Sequence, residues 1–456
     1  MVDQTDVVII GGGCTGVGVA RDLSMRNFQC VLLEMKGPVH GSNDRHRDLL
    51  HSGAFYVVAD PVAARECYYE SRILRRIAGH CIEETGGLSV LLPGDDPGYA
   101  DRLLHALSQI GIPARRLPAG KVLEQESALA AEVREAIAVP EAVVNPFAMA
   151  LANVRSAQEH GARVLTHCTA VSLMVEGGEV RGVRTQCRQS GEELEIRSRC
   201  IINAAGALVG EIATTAGINI PLLFSRETFV LMTGRLSNAV IYRCRAQGSD
   251  GDVVITGGSA AILGAIAESD RTAASPEEVD EIIEGGGQIV PGVLDARAIR
   301  AYSRIRPLLK LRRPPGSQSR GIAVLDHGML NGVGGLYTVL GGGITTYRLA
   351  AQLVSDAVCR RLGSSALCTT HREVLPPIAC RDDTVPDRKE EYEFQGISPL
   401  DLREILMPGD KGIHALKALL EERWEGVRPV AWGERLREEE LIRGIAMETF
   451  NLDHVK

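Results

Sequence analysis

The sequence predicts an α/β fold, and three observations support this. The chain opens with an apolar strand, the glycines Gly11, Gly13 and Gly16, and then a helix, which is a βαβ pattern. Alternating segments over 169–198 predict an antiparallel meander, and an apolar run over 200–206 predicts a later buried strand. At 456 residues the chain is too long for one ordinary core, so two domains are expected.

The opening glycines suit a dinucleotide. The first glycine can make a sharp turn, the second lets the backbone approach a pyrophosphate, and the third lets helix and strand pack closely. The helix is predicted over 17–25, and its N-terminal N–H groups favour a negative charge. The predicted nucleotide-binding residues here are Gly11, Gly13, Cys14, Thr15 and Gly16.

Glu34 ends the second predicted strand, 31–33, about 20 residues after the glycines. A carboxylate at that place can accept hydrogen bonds from the adenosine ribose hydroxyls. Dinucleotide binding is therefore favoured over a glycine-rich turn that binds nothing. This stretch alone leaves both FAD and NAD open.

Composition excludes several classes of function. The net charge is −8 without a long basic tract, so no nucleic-acid partner is expected. No apolar run reaches the roughly 18 residues of a membrane span, and the first apolar run is the nucleotide strand itself, so no signal peptide is expected. The 11 cysteines form no C-x-x-C pair, which predicts free thiols in a reducing cytoplasm and no metal or iron-sulfur site.

Small and polar residues over 41–56 follow Glu34, and the turn they predict should lie beside the strand ends, where ligands bind in open α/β sheets. Ser42 and Arg45 are predicted pyrophosphate or ribityl ligands. His51 is a candidate to face a flavin ring, with a hydrogen-bonded structural histidine as the alternative.

The order of elements distinguishes between dinucleotide folds. A βαβ start, a long insertion, a meander and a late strand resemble the flavoproteins with two dinucleotide-binding domains, whereas an NAD dehydrogenase would continue as βαβαβ. This likeness implies a backbone contact from Val171 to adenine, and implies that Ala205 and Gly206 close over the nucleotide. It favours FAD.

The insertion contains predicted helices and, at 117–139, a predicted linker with short elements; the helices are 62–78, 100–111 and 147–160.

Residues 221–309 predict a mixed-sheet substrate domain that covers the flavin. Strands are expected at 228–233 and 252–256, with a helix over 276–289. The predicted domains are an FAD-binding domain (1–80, 140–220 and 320–365), a substrate domain (81–139 and 221–319) and a C-terminal helical cap (366–456).

A second glycine turn follows the apolar strand 336–340 and precedes a helix. A helix N-terminus pointing at the flavin would stabilise negative charge on the reduced ring. A purely structural turn is the alternative. The predicted flavin-binding residues are Gly342, Gly343, Ile344, Thr345 and Thr346.

Several short motifs in a shared order resemble the FAD-dependent glycerol-3-phosphate dehydrogenases, above all the catalytic large subunit of the anaerobic enzyme. The likeness covers nearly the whole chain, including the tail around Trp424 and Trp432. The motifs besides the opening fingerprint are Leu50-His51-Ser52-Gly53, Ala63-Ala64-Arg65-Glu66-Cys67, Val144-Asn145-Pro146-Phe147, Asn203-Ala204-Ala205-Gly206, Ala301-Tyr302 with Arg306-Pro307-Leu308, and Gly341-Gly342 with Thr346-Tyr347-Arg348.

The resemblance implies an FAD-dependent oxidoreductase in which the alcohol gives a hydride to flavin N5 and a base takes the hydroxyl proton. It implies a catalytic site of His51, Tyr302 and Arg306, with Arg306 clamping a small anionic substrate. A structural ion pair is the alternative role for Arg306. The reduced flavin would pass electrons to a quinone or a partner subunit. That implies a possible hetero-oligomer in the cytoplasm, peripheral to the membrane through a partner.

Three positions depart from the family pattern. Phe55 and Gly343 replace the arginine and the lysine that the family usually has there, and Leu208 replaces a tryptophan. Two cations that help bind a phosphate are therefore absent, and the candidates to replace them are Arg45, Arg47, Arg226 and Arg304.

The cysteine-rich segment of the large subunit of the anaerobic enzyme is also absent, since Cys380 is the last cysteine. The leading expectation is a dehydrogenase for a small anionic alcohol or hydroxy acid that need not be glycerol 3-phosphate. The alternatives are an amino-acid dehydrogenase of the same fold and a non-catalytic or electron-relay subunit. The tail over 413–445 predicts a packed helical cap or a partner-docking surface.

Overall fold

The computed structural model describes residues 3–37, 49–188, 190–245, 253–258, 260–267, 274–310 and 321–377. Ser42, Arg45, Arg47, Trp424 and Trp432 lie outside these residues. The α-helices in the described part are α1 (Cys14–Met25), α2 (Pro61–Ile77), α3 (Pro97–Ile110), α4 (Ala119–Gln125), α5 (Pro146–Glu159), α6 (Val209–Thr214), α7 (Pro276–Ile289), α8 (His327–Asn331) and α9 (Tyr347–Leu362).

The described strands fall into two large sheets and one small sheet. They are β1 (Asp3–Ile10), β2 (Cys30–Leu33), β3 (Leu49–Leu50), β4 (Ile82–Glu83), β5 (Gly87–Leu91), β6 (Arg115–Pro118), β7 (Glu135–Val139), β8 (Ala142–Val144), β9 (Arg163–Leu165), β10 (Cys168–Glu176), β11 (Glu179–Cys187), β12 (Glu193–Asn203), β13 (Leu222–Thr233), β14 (Val240–Arg243), β15 (Val253–Gly257), β16 (Ala260–Ala267), β17 (Ala298–Leu309), β18 (Ala323–Asp326) and β19 (Leu336–Leu340).

The first sheet is built around the parallel strands β1, β2, β9, β12 and β19. Strand β1 lies between β2 and β12, and the antiparallel β10 and β11 extend the sheet beyond β12. Parallel strands are covered on both faces, which is why β1 has the continuous apolar run that the sequence shows. Val7 to Ile9 are fully buried. This arrangement places the carboxyl ends of β1, β2 and β12 along one edge, where the glycine turn lies.

Helix α1 crosses the first sheet between α5 and α9, and apolar side chains from all three helices form one core with β1. Gly18 makes the close approach to α9 possible, since a Cβ there would lie 2.7 Å from the Tyr347 ring. The nucleotide-binding helix is therefore fixed on two sides by other helices.

The second sheet has the strand order β17-β13-β16-β15-β14-β5-β7-β6. Its strands come from two separate parts of the chain, 87–139 and 222–309, and the parallel pairing of β5 with β14 joins them. Strand β17 lies at the edge and pairs with β13 along most of its length. A small sheet of β3, β8 and β4 lies next to the His51 segment.

Most predicted elements are present, and the differences have local causes. The helix predicted over 276–289 is confirmed with the same bounds. The helix predicted over 17–25 begins at Cys14 instead, because the chain enters α1 directly from the glycine turn. Residues 117–139, predicted as a linker with short elements, contain α4 and β7. The last meander strand and the later buried strand are one strand, β12, which pairs with β11 along its first half and with β1 along its second.

Residues 366–377, the start of the predicted helical cap, contain no helix and contact helices α1 and α2. Leu375 is fully buried in an apolar cluster with Cys14 and Ile77, and its N–H donates to the Ile77 carbonyl at 2.7 Å. Arg21, also buried, donates from Nη2 to the Glu373 carbonyl at 2.8 Å. The rest of the predicted cap lies outside the described residues. In the described part of the chain, no helix is long and apolar enough to cross a membrane.

Candidate active site

The first glycine turn has a shape that only glycine permits. Gly11 has φ +105°, and a Cβ there would lie 2.5 Å from the Ala204 carbonyl oxygen. At Gly16 a Cβ would lie 1.8 Å from the Gly11 carbonyl oxygen. Helix α1 starts immediately after this turn with Gly13 at its N-cap and no side chain capping it. The N–H groups of the first turn, including those of Cys14 and Thr15, are thus placed for an anionic ligand.

Glu34 is oriented by backbone groups beside this turn. Its carboxylate is buried, and it accepts hydrogen bonds from Gly12 N (2.7 Å) and Lys36 N (2.9 Å). Strand β10 passes next to it, since Cys168 N donates to the Glu34 carbonyl. Val171 lies at a register shift between β10 and β11 and is half exposed, so its backbone departs from the regular ladder.

Ala205 and Gly206 lie over the same turn. Ala204 N donates to the Ile10 carbonyl at 2.9 Å, and Gly206 has φ +59° at the start of a short 3-10 helix, Gly206–Leu208. The structure brings Ala205 next to Gly11, since a Cβ added at Gly11 would lie 2.9 Å from the Ala205 Cα. Among the predicted cofactor-binding residues, Ser42 and Arg45 lie outside the described residues.

The residues present fit a bound FAD. The glycine turn leaves a space that a Cβ would fill, and the first N–H groups of α1 border this space. The Glu34 carboxylate is held beside it by backbone hydrogen bonds. Burial raises the pKa of the Cys14 thiol to about 12, so this side chain adds no negative charge beside a pyrophosphate.

The second glycine turn leads from β19 into α9 through a 3-10 turn, Ile344–Thr346. Gly342 has φ +65°, and a Cβ there would lie 2.8 Å from Thr346 Oγ1. The Thr346 hydroxyl accepts from Gly343 N at 3.0 Å, and Thr345 Oγ1 accepts from His51 N at 3.0 Å. This turn therefore both starts α9 and holds the backbone of the candidate catalytic histidine.

A cavity lies between the second glycine turn and strand β17. It brings together His51 and Arg306, two of the predicted catalytic residues, with all five predicted residues of the second turn. Its lining residues are Leu49, His51, Tyr56, Ala63, Glu66, Cys67, Arg304, Arg306, Gly342, Gly343, Ile344, Thr345 and Thr346.

His51 is buried at this cavity and is held by aromatic neighbours. The Tyr56 hydroxyl lies 3.2 Å from His51 Nε2, within hydrogen-bond distance. The Phe55 ring stacks on His51 with 5.8 Å between centroids, and it also contacts Tyr242 at 5.3 Å. Phe55 therefore supports the imidazole from behind, and it does not line the cavity.

The turn that carries His51 is fixed by a buried acid. Glu141 is completely buried and accepts hydrogen bonds from Ser52 N at 2.9 Å and Ser52 Oγ at 2.7 Å. Burial raises the pKa of Glu141 to about 7, and the hydrogen bonds from Ser52 oppose that rise. The backbone next to His51 thus depends on one carboxyl group that the solvent does not reach.

Two arginines on β17 line the cavity and share one buried carboxylate. Glu227 on β13 lies directly opposite Arg304 in the strand register and is fully buried. Glu227 Oε1 is 3.3 Å from Arg306 Nη2, and Oε2 is 3.9 Å from Arg304 Nε. Burial by itself would lower the pKa of Arg306, but Glu227, together with Tyr56 and its hydrogen bond, raises it, so Arg306 is charged.

Tyr302 and Arg226 lie outside the described lining of the cavity. The Tyr302 ring packs against Phe229 with 5.3 Å between centroids and is not among the residues that line the cavity. Arg226, a candidate replacement cation, pairs instead with Glu278 at 2.8 Å. Of the replacement cations that the structure describes, Arg304 lines the cavity.

Sequence reasoning missed Tyr56, Glu66 and Glu227 as site residues. Tyr56 ends the polar turn that carries His51, and Glu66 lies within the motif Ala63-Ala64-Arg65-Glu66-Cys67, but neither was given a role in the site. Glu227 gave a clearer signal, because an acid within the apolar strand 222–233 needs a buried partner.

Comparisons with known proteins place the chain in a family. The family model described as FAD dependent oxidoreductase matches residues 6–357. A relative from Haloferax volcanii, named as a subunit of the anaerobic glycerol-3-phosphate dehydrogenase, is 40% identical, over 82% of this chain and 67% of that protein. A relative from Escherichia coli K12, also named as a subunit of the anaerobic enzyme, is 32% identical, over 97% of this chain and 96% of that protein.

Solved structures share the fold. A glycerol-3-phosphate dehydrogenase from Bacillus halodurans complexed with FAD superimposes with a TM-score of 0.61 at 21% identity, covering 81% of this chain and 67% of that one. An FAD-bound L-alpha-glycerophosphate oxidase from Mycoplasma pneumoniae gives 0.65 at 14% identity, covering 82% and 100%. The chain therefore belongs to the FAD-dependent oxidoreductase family, and it is an FAD-dependent dehydrogenase of the glycerol-3-phosphate dehydrogenase type.

Proposed function

We propose that this enzyme oxidises a small anionic alcohol or hydroxy acid to the corresponding carbonyl compound. The supporting observation is the cavity that brings the His51 imidazole and the Arg306 guanidinium against the second glycine turn. In this proposal His51 is the base and Arg306 binds the substrate anion. Tyr302, on the same face of β17, is the third residue of the proposed catalytic site.

FAD supplies the acceptor for the hydride. Arg306 binds the anionic group through a planar fork of N–H donors and so orients the substrate carbinol. The substrate C–H bond breaks and its electron pair leaves with the hydrogen as hydride, while His51 takes the hydroxyl proton and the carbon–oxygen bond becomes double. Tyr56 holds the imidazole through its hydroxyl, and Thr345 holds the backbone beneath it.

We also propose the binding roles of the nucleotide site. Gly11, Gly13, Cys14, Thr15 and Gly16 would bind the pyrophosphate. The other assigned residues are Glu34 for the ribose, Val171, Ala205 and Gly206 for the adenosine end, Ser42 and Arg45 for the pyrophosphate or ribityl chain, and Gly342 to Thr346 for the flavin ring.

The electrons would leave the reduced flavin for a quinone or a partner subunit. Two of the relatives above are named as subunits of an anaerobic dehydrogenase, which supports a partner subunit here. None of the ten described cysteines is in a disulfide, which favours a reducing compartment such as the cytoplasm, with any membrane association made through the partner.

Anaerobic flavin bleaching tests the reaction. The purified enzyme is mixed with a panel of small hydroxy acids, polyol phosphates and amino acids, and loss of the oxidised flavin band is followed. We expect at least one anionic compound to bleach the flavin, and we expect His51→Ala to slow that bleaching about 100-fold or more while retaining FAD. Equal rates in both proteins would contradict the role of His51.

A second candidate is a flavin-binding subunit that has no substrate of its own. The observation that favours it is Glu227, which occupies the two cavity arginines. This candidate predicts a flavin that dithionite reduces and no compound of the panel bleaches. Bleaching by any panel compound at a turnover-competent rate would exclude it.

A further inference from the structure

The charged side chains in and behind the described lining of the cavity are nearly balanced. Arg304 and Arg306 contribute two positive charges, and Glu227 behind them contributes one negative charge. Glu66 also lines the cavity, and burial raises the pKa of its carboxyl, with Asp60 and Glu70 adding to the rise. Counting these four side chains, the net charge is +1 with Glu66 protonated and zero with Glu66 ionised.

The second glycine turn adds no cation. A Cβ at Gly343 would lie 3.9 Å from Arg306 Nη2, so a longer side chain there would reach the guanidinium region, but the residue is glycine. Phe55 turns its ring toward His51 and Tyr242. The described lining of the cavity contains no lysine.

Among the lining side chains that the structure describes, the charge balance counted above is at most +1, which suits a monoanion. A phosphate monoester carries close to two negative charges at neutral pH, so its binding would leave at least one negative charge buried without a counter-ion, which is costly. A carboxylate carries one negative charge and matches the planar fork of a guanidinium. The cavity therefore favours carboxylate over phosphate.

We propose that the anionic group of the substrate is a carboxylate, on a small molecule that carries a hydroxyl or an amino group at the carbon to be oxidised. This inference rests on the proposed dehydrogenase function and names its substrate class. Hydroxy and amino carboxylates share the chemistry that Arg306 recognises, and the experiment below separates them.

The first test uses the wild-type holoenzyme and three compounds with the same three-carbon skeleton. Glycerate, serine and glycerol 3-phosphate are compared in anaerobic flavin bleaching. We expect glycerate or serine to bleach the flavin at least about 10-fold faster than glycerol 3-phosphate at equal concentration. Faster bleaching by glycerol 3-phosphate would overturn the inference and leave the dehydrogenase proposal standing.

A binding measurement keeps the two proposals separable. Acetate and methylphosphonate, at a pH where the phosphonate is a dianion and at constant ionic strength, are titrated while the flavin absorbance is recorded. We expect acetate to perturb the flavin at about 10-fold lower concentration. If no compound bleaches the flavin but acetate still binds more tightly, the anion assignment stands and the proposed reaction fails. Tighter binding of methylphosphonate would overturn the assignment.

Two variants should abolish the preference for carboxylate. Glu227→Gln removes the negative charge behind the arginines, and Gly343→Lys adds a positive charge in front of them. Each is expected to shift the carboxylate-to-phosphonate affinity ratio about 10-fold or more toward phosphonate. The matched controls are Glu278→Gln, which affects the Arg226 pair away from the cavity, and Gly343→Ala, which adds bulk without charge.

Because Glu227 is buried, the result of Glu227→Gln is used only if that protein folds and holds FAD. If it does not, Gly343→Lys carries the test alone. The turn at Gly343 has space for a side chain, since the nearest atom to an added Cβ is the Arg306 terminal nitrogen. An unchanged affinity ratio in a folded, flavin-loaded Gly343→Lys protein would overturn the charge argument.

Discussion

The glycine turn before α1 and the arginine pair on β17 present groups that attract negative charge in different ways. The turn at Gly11 and Gly16 uses backbone N–H groups and a shape that excludes any side chain. The arginine site uses long side chains whose charge is set by Glu227. A backbone site can hardly be altered without breaking the fold, whereas a side-chain site can be retuned by one charge. The comparison explains how one fold can keep its cofactor site while its substrate site is altered by a single side chain.

The largest expected effect comes from the backbone site. Gly16→Ala would force a Cβ to within 1.8 Å of the Gly11 carbonyl oxygen. We expect a loss of ~3 kcal/mol or more in the free energy of unfolding and a protein purified without FAD. Gly120→Ala is the control, since that glycine lies in α4 with open space around its Cβ, and it should change stability by no more than about 1 kcal/mol. Flavin content and urea unfolding measure both.

The arginine site should fail without loss of FAD. Arg306→Gln removes the guanidinium that lies 3.3 Å from Glu227 Oε1 at the cavity and retains Arg304. We expect kcat/KM for the best panel compound to fall about 100- to 1,000-fold while flavin content stays normal. Loss of FAD together with activity would show that the two sites are not separable in the way this comparison requires.

Glu141 should give the protein a pH-dependent stability. The folded state keeps this carboxyl protonated up to a pKa of about 7, while the unfolded state releases the proton near pH 4.5. The contribution of Glu141 to the free energy of unfolding is therefore fully present below about pH 4.5. It declines as the pH rises to about 7, by up to ~3 kcal/mol in total.

Glu141→Gln, which cannot ionise, should remove this decline. Urea unfolding followed by circular dichroism at several pH values between 5 and 8 would show it as a wild-type-minus-variant difference that changes with pH. A difference that stays constant across this range would refute the assignment.

The smallest effect is expected from Tyr56→Phe. The substitution keeps the ring but removes the hydroxyl 3.2 Å from His51 Nε2. We expect the bleaching rate to fall about 10-fold with FAD content unchanged, because the variant loses the hydroxyl that contacts the imidazole and hydrogen-bonds with Arg306. A rate equal to that of the wild type would mean that packing by Phe55 is enough to hold His51.

The two kinds of site also differ in how far the sequence predicted them. Both glycine turns were predicted residue by residue, because a strand, its glycines and the following helix are contiguous in the chain. The arginine site was predicted only in part. Glu227 meets Arg304 through the pairing of β13 with β17, and no local pattern specifies that register. Arg226 pairs with Glu278 on α7, and no local pattern in the sequence specifies that contact between a strand and a distant helix either.

The packing of Leu375 sets a limit on how short a flavin-binding protein can be made from this chain. Helix α9 ends at Leu362, but Leu375 fills the apolar cluster behind Cys14, at the start of the nucleotide helix. A protein shortened to residue 365 would leave a gap in this apolar cluster, whereas one shortened to residue 377 would retain the Leu375 side chain that fills it. We expect the longer version to hold FAD and the shorter one to lose it, as flavin absorbance after gel filtration would show.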